Sequence, residues 1–152
     1  MSKLDTSARI KPAYVLAKKD VIEPSLSGID WQDLQRGIDL FHAHKFWASH
    51  EAWEAVWRRH TQPSRIFFQG LIQMAAACHQ IQQGVCHGAV KHCNNALLKL
   101  KQFPDGFLGV GVLGLVYAIE ACRDAVEQLG EAGLGDFDES LFPVIDFVKR
   151  SV

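Results

Sequence analysis

The sequence lacks an excess of charge of either sign. Its 152 residues include 16 basic and 17 acidic side chains, which gives a formal net charge of -1. A protein whose overall field draws it to nucleic acid or to an anionic membrane surface needs a clear basic excess. We therefore expect neither nucleic acid nor a membrane among its partners.

Long apolar runs and paired cysteines are also missing. The apolar stretch at 106–119 is shorter than the roughly 20 residues that a membrane span requires. The charged N-terminal stretch has no apolar segment followed by a cleavage site, so it does not resemble a signal peptide. No CxxC pair occurs among the four cysteines, which favours free thiols and a cytoplasmic location. These are Cys78, Cys86, Cys93 and Cys122.

Apolar residues recur at helical spacing along most of the chain. Asp30 is the predicted N-cap of a first helix that continues to about Phe41. Further helices are predicted at about 46–60, 64–83, 87–103 and 112–129, and a short terminal helix between 139 and 152. Short connections favour antiparallel neighbours. We predict an all-α fold, a single-domain antiparallel helical bundle of about five helices at 30–152, after a loosely ordered lead at 1–29.

A glycine motif at 109–114 matches GxGxxG through Gly109, Gly111 and Gly114. In dinucleotide-binding proteins this motif follows a β-strand inside a βαβ unit. Here a lysine-rich helix end and a Pro-Asp-Gly turn precede it. A nicotinamide dinucleotide cofactor is therefore not expected, and we interpret the glycines as sites of tight turning and close packing.

Two polar residues of the second predicted helix lie on one face. His50 and Glu54 are four residues apart, with Trp47 and Trp57 before and after them on the same stripe. In HExxH zinc proteases a second histidine occupies the position of Glu54. His50 and Glu54 are thus candidates for catalysis and weak candidates for metal ligation, because a third ligand would have to come from another helix.

The third predicted helix carries the complementary polar stripe. Arg65, Gln69 and Gln73 fall on one line, and His79 lies at its edge. We name His50 and Glu54, together with Arg65, Gln69, Gln73 and His79, the polar seam. We predict ligand contacts from the last four and from Trp57. The alternative is structural: a solvated glutamine face, and a buried hydrogen bond between His50 and Glu54.

The residues of the seam also carry a family resemblance. The run FHAHKFWASHEAWEAVWR, followed by RIFFQGLIQMAAACHQIQQG and HGAVKHCNNALLKL, resembles the DUF309 family of small helical proteins. The similarity extends over about 34–129, and its matching positions include His50, Glu54, Arg65 and Gln73. The resemblance implies an all-α bundle and no established activity.

Three positions depart from the pattern of that family. His44 replaces the usual glycine of the first turn, and it must then adopt the left-handed conformation at some cost. Val85 replaces an asparagine after the third-helix glycine, and Gly111 replaces a polar residue at the start of the fifth helix. Both replacements predict weaker helix caps.

Two functions of different classes are compatible with the sequence. In the first, the seam binds a small molecule or a metal, or acts on a small substrate, with Arg65 orienting an anionic group. In the second, the bundle is a non-enzymatic interaction module, for example a homodimer, that uses its tryptophans and the glycine-rich fifth helix. The sequence identifies neither a substrate nor a cofactor.

Overall fold

Five α-helices make up the computed structural model, which describes residues 15–150. They are α1 (Gly28–His42), α2 (Phe46–Arg58), α3 (Ile66–Gln82), α4 (Cys86–Leu100) and α5 (Val112–Gly133). Each helix packs against the next along the chain. Within residues 15–150 no β-strand forms, and one isolated bridge joins Val110 and Phe147. The predicted all-α bundle is confirmed.

The first helix begins earlier than predicted, because Ser27 is its N-cap. The Ser27 hydroxyl accepts from the Asp30 backbone N–H at 3.2 Å, and the Asp30 carboxylate accepts from the Ser27 N–H at 3.0 Å. This reciprocal pair is a capping box, which satisfies two donors at the helix start. The predicted N-cap role of Asp30 is therefore wrong: its side chain completes the box from three residues inside.

The core is built around α3, which packs against both α2 and α4. Phe67, Phe68 and Leu71 are fully buried on this helix. Trp53 of α2 is also fully buried, and its indole N–H donates to the Leu34 carbonyl at 3.2 Å. Gly37 permits this approach, because a Cβ there would lie 2.2 Å from the Trp53 ring nitrogen. Burying these large side chains supplies most of the driving force for the fold.

At the three positions where the sequence departs from the family pattern, His44, Val85 and Gly111, the structure agrees with what we expected. His44 has φ +61°, so it does adopt the left-handed conformation. Val85 and Gly111 are the N-caps of α4 and α5, and neither provides a side-chain cap. In α5 the helix breaks at Gly130, where φ is +68°, before its final turn.

The predicted terminal helix is wrong for the residues that are described. A 3-10 turn at Glu139–Leu141 is followed by an extended segment. This segment pairs with the start of α5: the Val148 N–H donates to the Gly109 carbonyl, and the Gly111 N–H to the Asp146 carbonyl, both at 2.8 Å. A helical C-terminal segment could not form these two backbone hydrogen bonds. The pairing with a distant part of the chain is therefore preferred to the helix that the local sequence pattern predicts.

Two glycines of the GxGxxG motif make this pairing possible. A Cβ at Gly109 would lie 2.4 Å from the Val148 carbonyl oxygen, and φ at this position is +84°. A Cβ at Gly111 would lie 3.2 Å from the Asp146 side chain. The C-terminal segment therefore packs against Gly109 and Gly111, in agreement with our interpretation of these two glycines, whereas Gly114 lies inside α5 with no atom within 4 Å of a Cβ.

Part of the predicted N-terminal lead contacts the bundle. The Leu16 N–H donates to the Gln102 side chain at 2.7 Å, and Glu23 accepts from the Leu108 N–H at the same distance. Glu23 also pairs with Arg150. Residues 1–14 lie outside the described part of the chain, and the division at residue 29 stays a prediction.

None of the helices described here combines the length and the apolar character that a membrane crossing requires.

Candidate functional site

The two helices that carry the polar seam lie side by side. The Trp47 ring of α2 is 5.4 Å from the His79 ring of α3, between ring centroids. At the opposite end, the Arg65 guanidinium lies 4.3 Å from the centre of the Trp57 ring. These two contacts show that α2 and α3 run antiparallel, and that His50 and Glu54 lie across from the middle of α3. The seam residues are thus distributed along one helix pair.

Glu54 and His50 do not bond to each other. Glu54 is half-buried and pairs with Arg58, one turn along α2, at 3.2 Å. The His50 ring instead stacks on Trp47, with 4.5 Å between centroids and 9° between planes. The structural alternative predicted a hydrogen bond between His50 and Glu54, and this bond is not formed. The Glu54 carboxylate forms its ion pair with Arg58 instead.

His50 is held in a setting that favours its neutral form. Burial lowers its pKa below the usual value, against the opposing effect of the carboxylates of Glu54 and Glu51. Its Nδ1 atom is buried and has no hydrogen-bond partner among the described residues. A buried nitrogen without a hydrogen-bond partner lowers the stability of the fold. Local structure alone therefore does not explain why a histidine occupies this position.

His92 of α4 shares these properties and was missing from the predicted site. Burial lowers its pKa, and the charges of Lys91 and His50 add to the effect, so the two histidines lie within electrostatic range. Its Nδ1 is also buried without a partner, as is the Oε1 atom of Gln73 on α3. Gln73 was predicted from its stripe, whereas His92 lies on α4, outside the two helices from which the seam was predicted.

His50 Nδ1, Gln73 Oε1 and His92 Nδ1 belong to three consecutive helices, α2, α3 and α4. Gly88 of α4 lies against the Gln80 side chain of α3, and Gly70 lies against Lys99, so α3 and α4 are also antiparallel. From these two contacts, the antiparallel alignment of α3 and α4 places His92 opposite Ala76. Ala76 is about one helical turn from Gln73, so His92 and Gln73 lie close together along the helix pair. Among the described residues, no group of three or more His, Cys, Asp or Glu side chains is arranged to hold a metal ion.

The other end of the seam opens into a cavity of about 300 Å³. Arg65, Trp57 and Gln69, all predicted as ligand contacts, line it. The remaining lining comes from the turn between α2 and α3, namely Thr61, Gln62, Pro63 and Ile66. The structure thus brings three of the five predicted ligand contacts to one cavity, and places Gln73 and His79 further along α3.

The turn before α3 positions Arg65. Pro63 opens a 3-10 turn, Pro63–Arg65, that continues directly into α3. The Arg65 Nη1 atom donates to the carbonyls of His60 at 2.8 Å and of Trp57 at 3.4 Å, which satisfies acceptors at the end of α2. Its Nε and Nη2 atoms make no hydrogen bond to the described residues, and no carboxylate pairs with it there.

A charge network next to this turn was not predicted. The buried Asp30 carboxylate bonds Arg59 at 2.6 Å and His60 at 2.8 Å, and Arg59 also bonds Asp33 at 2.6 Å. Burial alone would raise the pKa of Asp30, but the Ser27 N–H, Arg59 and His60 outweigh it and hold the pKa below its usual value. The network ties the start of α1 to the end of α2. Spacing could not reveal it, because its partners are about 30 residues apart.

Three of the cysteines form a buried cluster across α3, α4 and α5. All four are free thiols, as predicted, and Cys78, Cys93 and Cys122 are almost completely buried. The hydrogen bond that the Cys93 thiol donates to Cys122, together with burial, raises the pKa of Cys93 far above its usual range. Hydrogen bonding to Cys78 and burial likewise raise the pKa of Cys122. Thiols held protonated in this way are poor nucleophiles, so the cluster is a packing element.

The part of the chain that is similar to a known protein family is the part that contains the seam. Residues 34–92 match the family described as Domain of unknown function (DUF309). This segment runs from within α1 to His92 and contains every residue of the seam and of the Arg65 cavity. No curated protein and no solved structure gave a significant match. The matched segment comprises most of α1, all of α2 and α3, and the first half of α4, so the similarity to this family is shown for that part of the chain.

Proposed function

We propose that the protein binds a small carboxylate in the cavity lined by Trp57, Arg65 and Gln69. The observation that carries this proposal is the state of Arg65. Its guanidinium is half-buried, lines a cavity, and has two nitrogen atoms without a partner among the described residues. Cations that are partly withdrawn from water are normally paired, so this guanidinium suits a carboxylate ligand.

The geometry of Arg65 suits a carboxylate. Nη1 is used by two carbonyls, which leaves the edge formed by Nε and Nη2. This edge presents two parallel N–H groups, the arrangement that binds both oxygens of one carboxylate. Stacking on Trp57 restrains the guanidinium plane, so little side-chain entropy is lost on binding.

The rest of the cavity suits a small ligand with one further polar group. A volume of about 300 Å³ lies at the lower end of the range for small-molecule sites. Gln69 is half-buried and makes no hydrogen bond to the described residues, so its amide is free to bind a hydroxyl or carbonyl oxygen. A 2-hydroxy acid fits both features. The proposal is one of binding, because Glu54 is paired with Arg58 and lies away from the cavity.

A titration with lactate tests the proposal, with lactamide as its uncharged counterpart. The ¹H–¹⁵N resonance of the Arg65 Nε–H group reports binding directly. We expect saturable shifts with lactate, with a Kd on the order of 1 mM for so small a ligand, and no comparable shift with lactamide. Equal shifts with the two compounds, or none with lactate, would reject the proposal.

Two variants separate the site from general effects of charge. Arg65→Lys keeps the positive charge but loses the paired N–H edge, and we expect lactate affinity, measured by calorimetry, to fall by about tenfold. Arg58→Lys makes the same exchange at the exposed arginine that pairs with Glu54, and should leave affinity unchanged. Equal losses in both variants would contradict a site at Arg65. Circular dichroism verifies that each variant is folded.

A second candidate function is the interaction module, and exposed apolar side chains on α5 favour it. Leu113 and Tyr117 are four residues apart and are 59% and 66% exposed. The tryptophans contribute less than the sequence suggested: Trp53 is buried, Trp31 and Trp57 are half-buried, and Trp47 alone is exposed. Light scattering tests for a homodimer. A dimer that dissociates in Tyr117→Lys supports this function, and a monomer at all concentrations excludes the homodimer.

A further inference from the structure

A second cavity, separate from the seam, lies between α1 and the C-terminal segment. Its volume is about 440 Å³. Trp31 and Phe147 form its aromatic walls, and Arg36, Lys149 and Arg150 lie around it. Gly28, Gln32, Gln35 and Asp39 complete the lining. Most of it comes from residues outside the segment 34–92, so it does not belong to the site proposed above.

The dimensions and walls of this groove are those of a small-molecule site. Its volume falls within the range of about 300–1,000 Å³ that is typical of such sites. Trp31 and Phe147 are both half-buried and pack against the core, so the walls are fixed from behind. At Gly28 a Cβ would meet no atom within 4 Å, which leaves this end of the groove open. Two aromatic walls favour a flat apolar body.

Each carboxylate near the groove has at least one hydrogen-bond or ion-pair partner. Asp39 accepts from the Gln35 side chain at 3.0 Å, and Asp33 holds Arg36 and Arg59. Glu23 holds Arg150.

Donors remain available in the same lining. Lys149 is exposed and forms no ion pair with any described residue. The Trp31 indole N–H likewise has no hydrogen-bond partner among residues 15–150. A groove with aromatic walls, a free ammonium group and a free indole N–H complements an apolar body that ends in an anion.

We propose that this groove binds an aromatic carboxylate, with its ring between Trp31 and Phe147 and its carboxylate at Lys149. Charge does not favour the chain's own N-terminal residues as the occupant. The first 14 residues contain Lys3, Arg9 and Lys11 against a single acid, Asp5. A basic segment would place like charges beside the cations of the groove.

Calorimetric titration of the full chain with 2-naphthoate tests the proposal, with 2-naphthamide as the uncharged analogue. We expect one naphthoate per chain at this site, at least about tenfold tighter than the amide. Gly28→Leu should abolish binding, because it adds a large side chain to the lining of the groove at a position where a Cβ meets no atom within 4 Å. Lys149→Gln should weaken naphthoate binding by about tenfold and leave naphthamide binding unchanged.

Matched substitutions elsewhere control for indirect effects. Gly114→Leu also adds a side chain in open space, on α5, and Lys91→Gln removes an exposed lysine on α4. Neither should change naphthoate binding. Arg65→Lys separates this site from the Arg65 cavity, and binding at the groove should survive it. Equal affinity for the two naphthalene compounds, naphthoate binding that persists in Gly28→Leu, or no binding at millimolar concentration would overturn the proposal.

Discussion

Four side-chain atoms in the middle of the bundle are buried without a partner among the described residues. They are Ser49 Oγ, His50 Nδ1, Gln73 Oε1 and His92 Nδ1. Each such atom loses its hydrogen bonds to water on folding and gains none from the protein, at a cost of about 1–3 kcal/mol. Residues that lower stability in this way are the ones whose replacement by apolar residues improves it.

Gln73→Leu tests this reasoning. Leucine has a similar volume and no polar atoms, so we expect the free energy of unfolding to rise by about 1 kcal/mol. Gln82→Leu is the matched control: the Gln82 amide donates to the His44 carbonyl at 3.0 Å, and its loss should lower stability by about 0.5–1 kcal/mol. Urea unfolding measures both. A clear loss in Gln73→Leu would show that the amide is engaged by a group such as a bound water.

Two carboxylates should differ greatly in their contribution to stability. Glu54→Gln removes a half-exposed pair with Arg58 within one helix, which is typically worth about 0.3–0.5 kcal/mol. Asp30→Asn removes a buried charge that holds both Arg59 and His60. Since Arg59 is partly exposed, we expect a loss of about 2 kcal/mol rather than the full cost of a buried pair. Comparable losses in thermal unfolding would contradict this assignment of roles.

At the scale of elements, the glycine motif before α5 combines two opposite requirements. Gly109 has positive φ and lies against the backbone of Val148, whereas Gly114 lies inside a helix with open space around it. The same residue type is therefore needed at one position and unfavourable at the other.

Substituting each glycine by alanine should change stability in opposite directions. Gly109→Ala forces a methyl group to within 2.4 Å of the Val148 carbonyl, and we expect a loss of at least about 2 kcal/mol. Gly114→Ala should gain about 0.5–1 kcal/mol, because alanine restricts the unfolded chain and favours helix. Urea unfolding gives both values. Faster tryptic cleavage after Lys149 in Gly109→Ala would show that the C-terminal segment has been released. Destabilisation in both variants would mean that the motif is required as a whole.

The helices themselves were predictable because their signals are local. The apolar period and the turn residues placed all five helices, and the break at Gly130 falls next to the predicted end of α5. The terminal helix was not predictable in this way. Its residues have a helix-compatible start at Pro143, but they form backbone hydrogen bonds to Gly109 and Gly111 about 35 residues earlier in the chain.

At the scale of the whole molecule, the free energy of unfolding should depend on pH, because three titratable side chains have different pKa values in the folded and unfolded states. His50 and His92 have lowered pKa values when folded, so below about pH 6.5 the unfolded chain binds their protons more readily. Stability should therefore decline as the pH falls below that value. Asp30 also has a lowered pKa, and its contribution is fully present above about pH 4 and is lost as the pH falls further.

Urea unfolding between pH 8 and pH 3 should show these two stages. In His92→Gln the upper stage should become shallower, since one of the two half-buried rings no longer titrates. His87→Gln removes an exposed histidine from the same helix and serves as the control. A stability curve that is flat between pH 7 and pH 5.5, or one that both variants change equally, would contradict the role of the half-buried histidines.

The candidate site was predicted in part. Trp57, Arg65 and Gln69 share a cavity because helical spacing placed Arg65 and Gln69 on one face of α3 and the short turn returned α3 alongside Trp57. The pairing of Glu54 with Arg58 was equally local, yet the pattern alone could not show which partner Glu54 would take. His92 came from α4, whose approach to His50 depends on the packing of α4 against α3.

The sequence by itself determined the number of helices, their order and the faces that they bury, because periodicity and turn chemistry act over a few residues. Only the tertiary structure decided which polar groups meet. Asp30 with His60, Gly109 with Val148, and the groove between Trp31 and Phe147 all join residues far apart in the chain. Such contacts form when several helices bury their apolar faces together, and no short segment encodes that outcome.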